Sequence, residues 1–123
     1  MAESFEELDV WRRSCRVAVR VFEAVSTIRN FGLKDQMERS AVSIASNIAE
    51  GSERPRKDFA KFIGYALGSS AELKTQLYIA NKAHLIDDTT RKELAHELAI
   101  ISRMLNRLRQ SLEVAAPQHR KPR

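Results

Sequence analysis

The sequence has little of what several functional classes require. Its single cysteine, Cys15, excludes an internal disulfide, and only four glycines and three prolines interrupt regular structure. No apolar run approaches the roughly 18 residues that a membrane-spanning helix needs. The first residues, MAESFEE, lack the positive charge with which a secretion signal begins. We therefore expect a cytoplasmic protein that has no contact with a membrane.

Motifs for catalysis and metal binding are also missing. His96 and Glu97 begin like the helix of a zinc protease, but Ile100 occupies the position of the second histidine. No glycine-rich phosphate loop is present, and Cys15 lies among apolar residues at helical spacing, which favours packing over nucleophilic chemistry. We predict that the protein is not an enzyme and has no catalytic residue, metal or cofactor.

The sequence does have helical periodicity. Apolar residues recur every three or four positions in four stretches, and none of these alternates like a strand. The first three run from about 9 to 27, 34 to 50 and 55 to 83, and the fourth follows a loop at 84–88. Short loops predict an all-α, antiparallel up-down-up-down four-helix bundle over residues 1–115, with a basic disordered tail at 116–123.

Turn residues suggest where these helices end. Asn30, Phe31 and Gly32 are predicted to close the first helix, with Gly32 in a left-handed turn, and Gly51 is predicted to end the second. Thr90 and Glu93 match a capping box at the start of the fourth helix, although Asp88 is an equally good cap.

The first helix carries two apolar strips. The strip predicted to face the core comprises Leu8, Trp11, Cys15, Ala18, Val19, Phe22 and Val25. A second strip, here called the valine strip, comprises Val10, Val17, Val21 and Ile28. Together they cover about 200° of the helix, whereas a surface helix needs only about 100° for its own core. We predict that the valine strip contacts another subunit; a deeply embedded helix is the alternative.

Small and polar residues mark the hairpin between the second and third helices. If the chain turns at 51–54, then Ser43 faces Gly64, Asn47 faces Ala60, and Arg39 lies near Glu72. Gly64 and Gly68 would then let the backbones of the second and third helices approach closely. The predicted hairpin seam comprises Arg39, Ser40, Ser43, Asn47, Glu50, Gly64, Gly68 and Glu72. A ligand site made by the same polar groups is the alternative to this structural role.

Basic residues concentrate near the carboxyl terminus, where residues 101–123 hold six bases and one acid. Such an excess can bind phosphates, although a solvated helix face followed by a soluble tail has the same composition. The candidate nucleic-acid contacts are Arg12, Arg16, Arg20, Arg103, Arg107, Arg120 and Lys121.

Three segments together resemble a known family: FEELDVWRRS, GLKDQMERSAVSIASNIAEGSER and DFAKFIGYALGSSAELKTQLYIA. The family comprises bacterial four-helix-bundle proteins first noticed as products of intervening sequences in large-subunit ribosomal RNA genes. The resemblance implies a ring-shaped homopentamer without enzyme activity, and distant relatives that accompany reverse transcriptases bind nucleic acid. The first loop, TIRNFGL, is shorter than the family pattern, and Pro55 replaces a hydroxyl residue, so we expect loop geometry to differ.

These observations lead to two hypotheses of function. In the first, the protein is a non-enzymatic homo-oligomeric scaffold or adaptor whose basic surface binds RNA, DNA or an acidic protein. In the second, it is a ring that binds a small molecule in its polar pockets, with or without weak catalytic activity.

Overall fold

The computed structural model describes residues 8–114, which form four α-helices and no strand. The helices are α1 (Asp9–Ala24), α2 (Phe31–Ser52), α3 (Arg56–Lys82) and α4 (Asp88–Val114). The prediction of an all-α chain with four helices is therefore confirmed. The predicted tail at 116–123, with Arg120 and Lys121, lies outside the described residues.

The four helices pack as a bundle in which α1 and α3 stand diagonally. Both α1 and α3 pack against α2 and α4, which lie between them. Ion pairs join Arg13 to Glu97 at 3.3 Å and Arg20 to Glu93 at 3.0 Å. The residue number of the α4 partner decreases as the residue number on α1 increases, so these two helices run antiparallel.

The beginning of α2 differs from the prediction because Asn30 caps it. The Asn30 Oδ1 atom accepts a hydrogen bond from the Leu33 backbone N–H at 3.1 Å, which satisfies an amide that the helix leaves unpaired. Phe31 and Gly32 are consequently the first residues of α2, and no glycine within 8–114 has a positive φ. The prediction that Gly32 closes α1 in a left-handed turn is wrong.

The connection between α3 and α4 is set by His84 and Asp87. His84 adopts the left-handed conformation, with φ of 64°, and Leu85 N–H then donates to the Ala80 carbonyl at 2.8 Å. Asp87 Oδ1 accepts from Thr90 N–H at 2.7 Å, and this bond lowers the pKa of Asp87. Asp87 thus takes the capping role that the sequence assigned to Thr90 or Asp88.

The core side of α1 is the valine strip. Val10, Val17, Val21 and Ile28 are all at most 5% exposed, because α2 and α4 cover them. The prediction that this strip meets another subunit is therefore wrong. Arg13 and Arg20 lie beside it on the helix, and their ion pairs with α4 are consistent with this inward orientation of the valine strip.

The other apolar strip of α1 lies largely at the surface. Val25 is buried, but Trp11, Cys15 and Ala18 are only partly buried and Phe22 is 46% exposed. The sequence assigned this strip to the core and the valine strip to the surface, and the structure shows the reverse. The excess of apolar surface on α1 is real, but its uncovered part is the strip that the sequence assigned to the core.

The hairpin of α2 and α3 comes closest at Gly51, which is buried inside α2 and does not end it. A Cβ atom added to Gly51 would lie 2.6 Å from the Phe62 Cβ and 3.0 Å from the Phe59 Cδ1. No side chain fits there without moving α3, so a residue with no Cβ is required.

The predicted close approach at Gly64 and Gly68 is wrong. A Cβ on Gly68 would meet nothing within 4 Å, and one on Gly64 would lie 3.6 Å from Arg109 Nη1, which belongs to α4. Ser43 forms its hydrogen bond with Ser69, five residues beyond the Gly64 that the sequence predicted. The register differs because α2 continues through Gly51, so that the chain turns nearer to the start of α3.

We expect Gly51→Ala to destabilise the bundle by about 1–3 kcal/mol, because the methyl group would overlap the Phe62 Cβ atom, which can move only with α3. Gly68→Ala is the matched control. It should stabilise by about 0.5–1 kcal/mol, since alanine favours a helix and its methyl group enters open space. Urea unfolding followed by circular dichroism measures both. Equal destabilisation by the two changes would contradict the observed register.

We expect Val21→Ala to cost about 2 kcal/mol, because it removes buried methyl groups and leaves a cavity. Val19→Ala, on the exposed strip of the same helix, should change the free energy of unfolding by less than about 0.5 kcal/mol. Both are measured by urea unfolding at low protein concentration, where self-association contributes least. A larger loss for Val19→Ala would reverse the assignment of the two strips.

Candidate functional site

The exposed strip of α1 and one side of α2 form an apolar groove, here called the α1–α2 groove. It has a volume of ≈ 420 Å³ and is open to solvent along one side. From α1 it is lined by Trp11, Cys15, Ala18, Val19 and Phe22, and from α2 by Val42, Ala45, Ser46 and Ala49. Ser46 is the one lining residue whose side chain is not predominantly apolar.

The α2 side of the groove follows directly from helical spacing. Val42, Ala45 and Ala49 lie three and four positions apart, so they share one side of α2 next to its buried stripe. Val42 is 43% exposed and Val19, across the groove, is 57% exposed. Helical periodicity in α2 therefore contained a signal for this surface, but the sequence analysis grouped only the buried stripe.

Cys15 lies in the wall of the groove. Its partial burial raises the pKa of the thiol above its ordinary value. A thiol with a raised pKa stays protonated at neutral pH and is a poor nucleophile, so the packing interpretation suits this residue.

A second concavity adjoins the groove at Phe22, Val42 and Ser46, and we call it the acidic depression. It is shallow, with a volume of ≈ 870 Å³, and reaches across α2 to Glu72 and Gln76 on α3. Its remaining lining residues are Asp35, Gln36, Glu38, Arg39, Ser40 and Ser43. Three carboxylates and one guanidinium group give this surface a negative balance.

The predicted seam residues separate into two groups. Arg39, Ser40, Ser43 and Glu72 share the wall of the acidic depression, whereas Asn47, Glu50, Gly64 and Gly68 lie elsewhere. The predicted proximity of Arg39 and Glu72 does not give an ion pair, because Arg39 Nε lies 3.1 Å from Asp35 Oδ2, one turn earlier in the same helix. Glu50 likewise pairs locally, with Arg54 at 2.9 Å.

The polar stripe of α2 does face α3, as the sequence indicated, but its partner is a serine. The Ser43 and Ser69 hydroxyls lie 2.8 Å apart, and the Asn47 Nδ2 atom donates to the Ser43 carbonyl at 2.9 Å. The next residue of α3, Ser70, places its hydroxyl 3.2 Å from that of Ser102 on α4. These bonds satisfy buried or half-buried polar groups and align three helices, which is a structural role. The sequence analysis missed Ser69 and Ser70 in this role.

Ion pairs occupy part of the predicted basic surface. Arg12 pairs with Asp9 and Arg20 with Glu93. Arg16, Arg103 and Arg107 form no salt bridge within the described residues, and all three are exposed. The structure thus divides the five described candidates into two that form ion pairs and three that form none within residues 8–114.

Metal binding and membrane insertion were also considered for residues 8–114. Residues 8–114 contain no group of three or more His, Cys, Asp or Glu side chains that could hold a metal ion. None of the four helices there combines the length and the hydrophobicity needed to cross a membrane.

The fold matches a known crystal structure, that of a protein of unknown function from the S23 ribosomal protein family of Bacteroides thetaiotaomicron VPI-5482, determined at 1.70 Å. The match has a TM-score of 0.74 and 25% sequence identity, and it covers 78% of this chain and 94% of the other. No curated protein matches the chain.

The family comparison covers most of the sequence. The model of the family described as "23S rRNA-intervening sequence protein" matches residues 6–107, which include α1, α2, α3 and most of α4. The segments that suggested this resemblance from the sequence all fall within the match or at its edge. The chain therefore belongs to the 23S rRNA-intervening sequence protein family.

Proposed function

We propose that the protein is a non-enzymatic scaffold that assembles with copies of itself, and that the α1–α2 groove is one of its contact surfaces. The observation that carries this proposal is the apolar strip of α1 that the bundle leaves uncovered. Val19, Phe22 and Val42 are each 43–57% exposed and lie on one continuous surface. Contiguous exposed apolar surface marks a binding site, because burying it against a partner releases ordered water.

The shape of this surface favours a protein partner over a small molecule. The groove lies between two antiparallel helices and opens into a shallow depression, and neither concavity encloses a ligand on all sides. Small-molecule sites generally bury most of the ligand surface, whereas an open groove between helices suits another helix. A ring-shaped homopentamer, which the sequence resemblance implies, is the assembly that we propose, and a cytoplasmic location remains a prediction.

We expect the purified protein to have a mass about five times the 14.0 kDa of one chain. Val42→Glu should reduce this to a single chain, because a carboxylate buried in an apolar groove loses its hydration without gaining a partner. Phe31→Glu is the matched control, since Phe31 is exposed but lies outside the groove. Sedimentation velocity measures the masses, and circular dichroism checks that both variants remain helical. A wild-type protein with the mass of one chain would contradict the proposal.

Nucleic-acid binding is a second candidate, supported by Arg16, Arg103 and Arg107, which are exposed and form no salt bridge with any residue in the described range 8–114. An assembly repeats each of them in every copy, so weak individual contacts with phosphates would add up. The ion pairs of Arg12 and Arg20 argue against a larger basic surface.

We expect the triple variant Arg16→Gln, Arg103→Gln and Arg107→Gln to weaken RNA binding and its dependence on salt. The slope of log K against log salt should fall by about 2–3 for each subunit that contacts RNA, because three phosphate contacts are lost. Arg39→Gln, which removes an exposed arginine already paired with Asp35, is the control. Fluorescence anisotropy with a labelled RNA measures both. The candidate fails if wild-type binding is undetectable at low salt or independent of salt concentration.

A further inference from the structure

The acidic depression contains polar groups that the bundle leaves without partners. Ser40 is only 6% exposed, yet its hydroxyl forms no hydrogen bond with any other residue in the range 8–114. The Oε1 atom of Gln76 is shielded from solvent and likewise accepts no hydrogen bond there. Both residues line the depression. Because a buried polar group without a partner costs free energy, a ligand that brings hydrogen-bond donors would find acceptors waiting here.

The register of the α2–α3 hairpin brings these groups to one place. Ser43 lies opposite Ser69, and the two helices are antiparallel, so one turn earlier on α2 corresponds to one turn later on α3. Ser40 is therefore level with Glu72, and Gln76 follows Glu72 by one further turn on the same side of α3. We call Ser40, Glu72 and Gln76 the acceptor cluster.

Two carboxylates in the depression have no cationic partner in the described range. Asp35 pairs with Arg39 at 3.1 Å, so these two residues add no net charge. Glu38 and Glu72 form no salt bridge with any residue in 8–114. The negative balance of the depression therefore comes from these last two carboxylates.

Glu38 and Glu72 lie on opposite sides of α2. Glu72 belongs to α3, whereas Glu38 lies one turn before Val42, which lines the α1–α2 groove. Phe22 of α1 lines the depression at this second end, and an aromatic ring attracts a cation placed over its face. The two ends are thus separated by the width of a helix, about 10 Å.

An organic amine suits this arrangement better than a metal ion does. The acceptors are spread across the depression, and residues 8–114 hold no group of three or more His, Cys, Asp or Glu side chains that could bind a metal. An ammonium group carries three N–H donors and no acceptor, which matches a cluster of unpartnered acceptors. A linear amine also fits a shallow, open surface, because only its charged ends need to be held.

We propose that the acidic depression binds a linear aliphatic polyamine. One ammonium group donates hydrogen bonds to the acceptor cluster, and a second, about a helix width away, pairs with Glu38 at the end lined by Phe22. This inference goes beyond the proposed self-assembly and does not depend on it, since all the residues involved belong to one chain.

Two cations of equal charge and similar length test the proposal on the full chain. Hexamethylenediamine has an ammonium group at each end, whereas hexamethonium has quaternary nitrogens that cannot donate. Isothermal titration calorimetry at constant ionic strength should show that the diamine binds and that hexamethonium binds at least about tenfold more weakly, because the hydrogen bonds to the acceptor cluster are lost. Equal affinities, or no binding of the diamine, would overturn the proposal.

Three variants locate the site. Glu72→Gln should weaken binding of the diamine about tenfold, because it removes a charged acceptor. Ser40→Ala should weaken it about threefold without lowering the melting temperature of the free protein, since its hydroxyl has no partner to lose. Glu53→Gln, which removes an exposed carboxylate outside the depression, is the control and should bind like the wild type.

Two results with these variants would contradict the site. A lower melting temperature for free Ser40→Ala would mean that the bundle itself uses the hydroxyl. Equal weakening by Glu53→Gln and Glu72→Gln would mean that the amine responds only to the overall charge of the protein.

Sedimentation velocity of the same samples separates this proposal from self-assembly. A wild type that binds the diamine but has the mass of one chain supports the amine site and overturns self-assembly. A wild type that assembles but does not bind the diamine overturns the amine site alone.

Discussion

The contact of Gly51 with the rings of Phe59 and Phe62 sets the position of α2 along α3, and the other interhelical contacts depend on that position. It brings the hydroxyls of Ser43 and Ser69 within 2.8 Å of each other. Polar groups buried between helices stabilise a bundle only when each finds its partner, so a displaced hairpin would lose this bond as well as the close packing. One missing Cβ atom therefore determines which polar groups meet between the two helices.

The two apolar strips of α1 have different roles, and ion pairs with α4 distinguish them. Both strips are hydrophobic enough to form a core, and a helix in a four-helix bundle buries only one side. The valine strip lies inside, Arg13 and Arg20 beside it contact Glu97 and Glu93 of α4, and Trp11 and its neighbours lie beside α2 at the surface. The uncovered strip is the surface that the proposed self-assembly would bury, while the core of the chain is complete without it.

Helical periodicity was enough to predict the number of helices and the polar stripe of α2 that faces α3. It did not predict the register of the hairpin, because an error of a few residues at the end of α2 rotates the facing side of α3 by more than a quarter turn. Gly64 and Gly68 were placed in the seam for that reason. Periodicity also did not predict the orientation of α1, since that orientation depends on contacts with helices distant in the sequence. Glu93 and Glu97 of α4, which pair with Arg20 and Arg13, lie more than 70 residues away. Local patterns define elements, whereas long-range contacts decide which sides of them meet.

The position of the α1–α2 groove on the bundle has a geometrical consequence. In an assembly that buries the α1–α2 groove, the orientation of this groove on the bundle fixes how far the growing assembly turns with each added copy. The curvature of the whole particle is then determined by how four helices pack inside a single chain. A substitution in the core that rotates α1 slightly would change the number of copies needed for closure, or prevent closure, without altering any residue at the contact between copies.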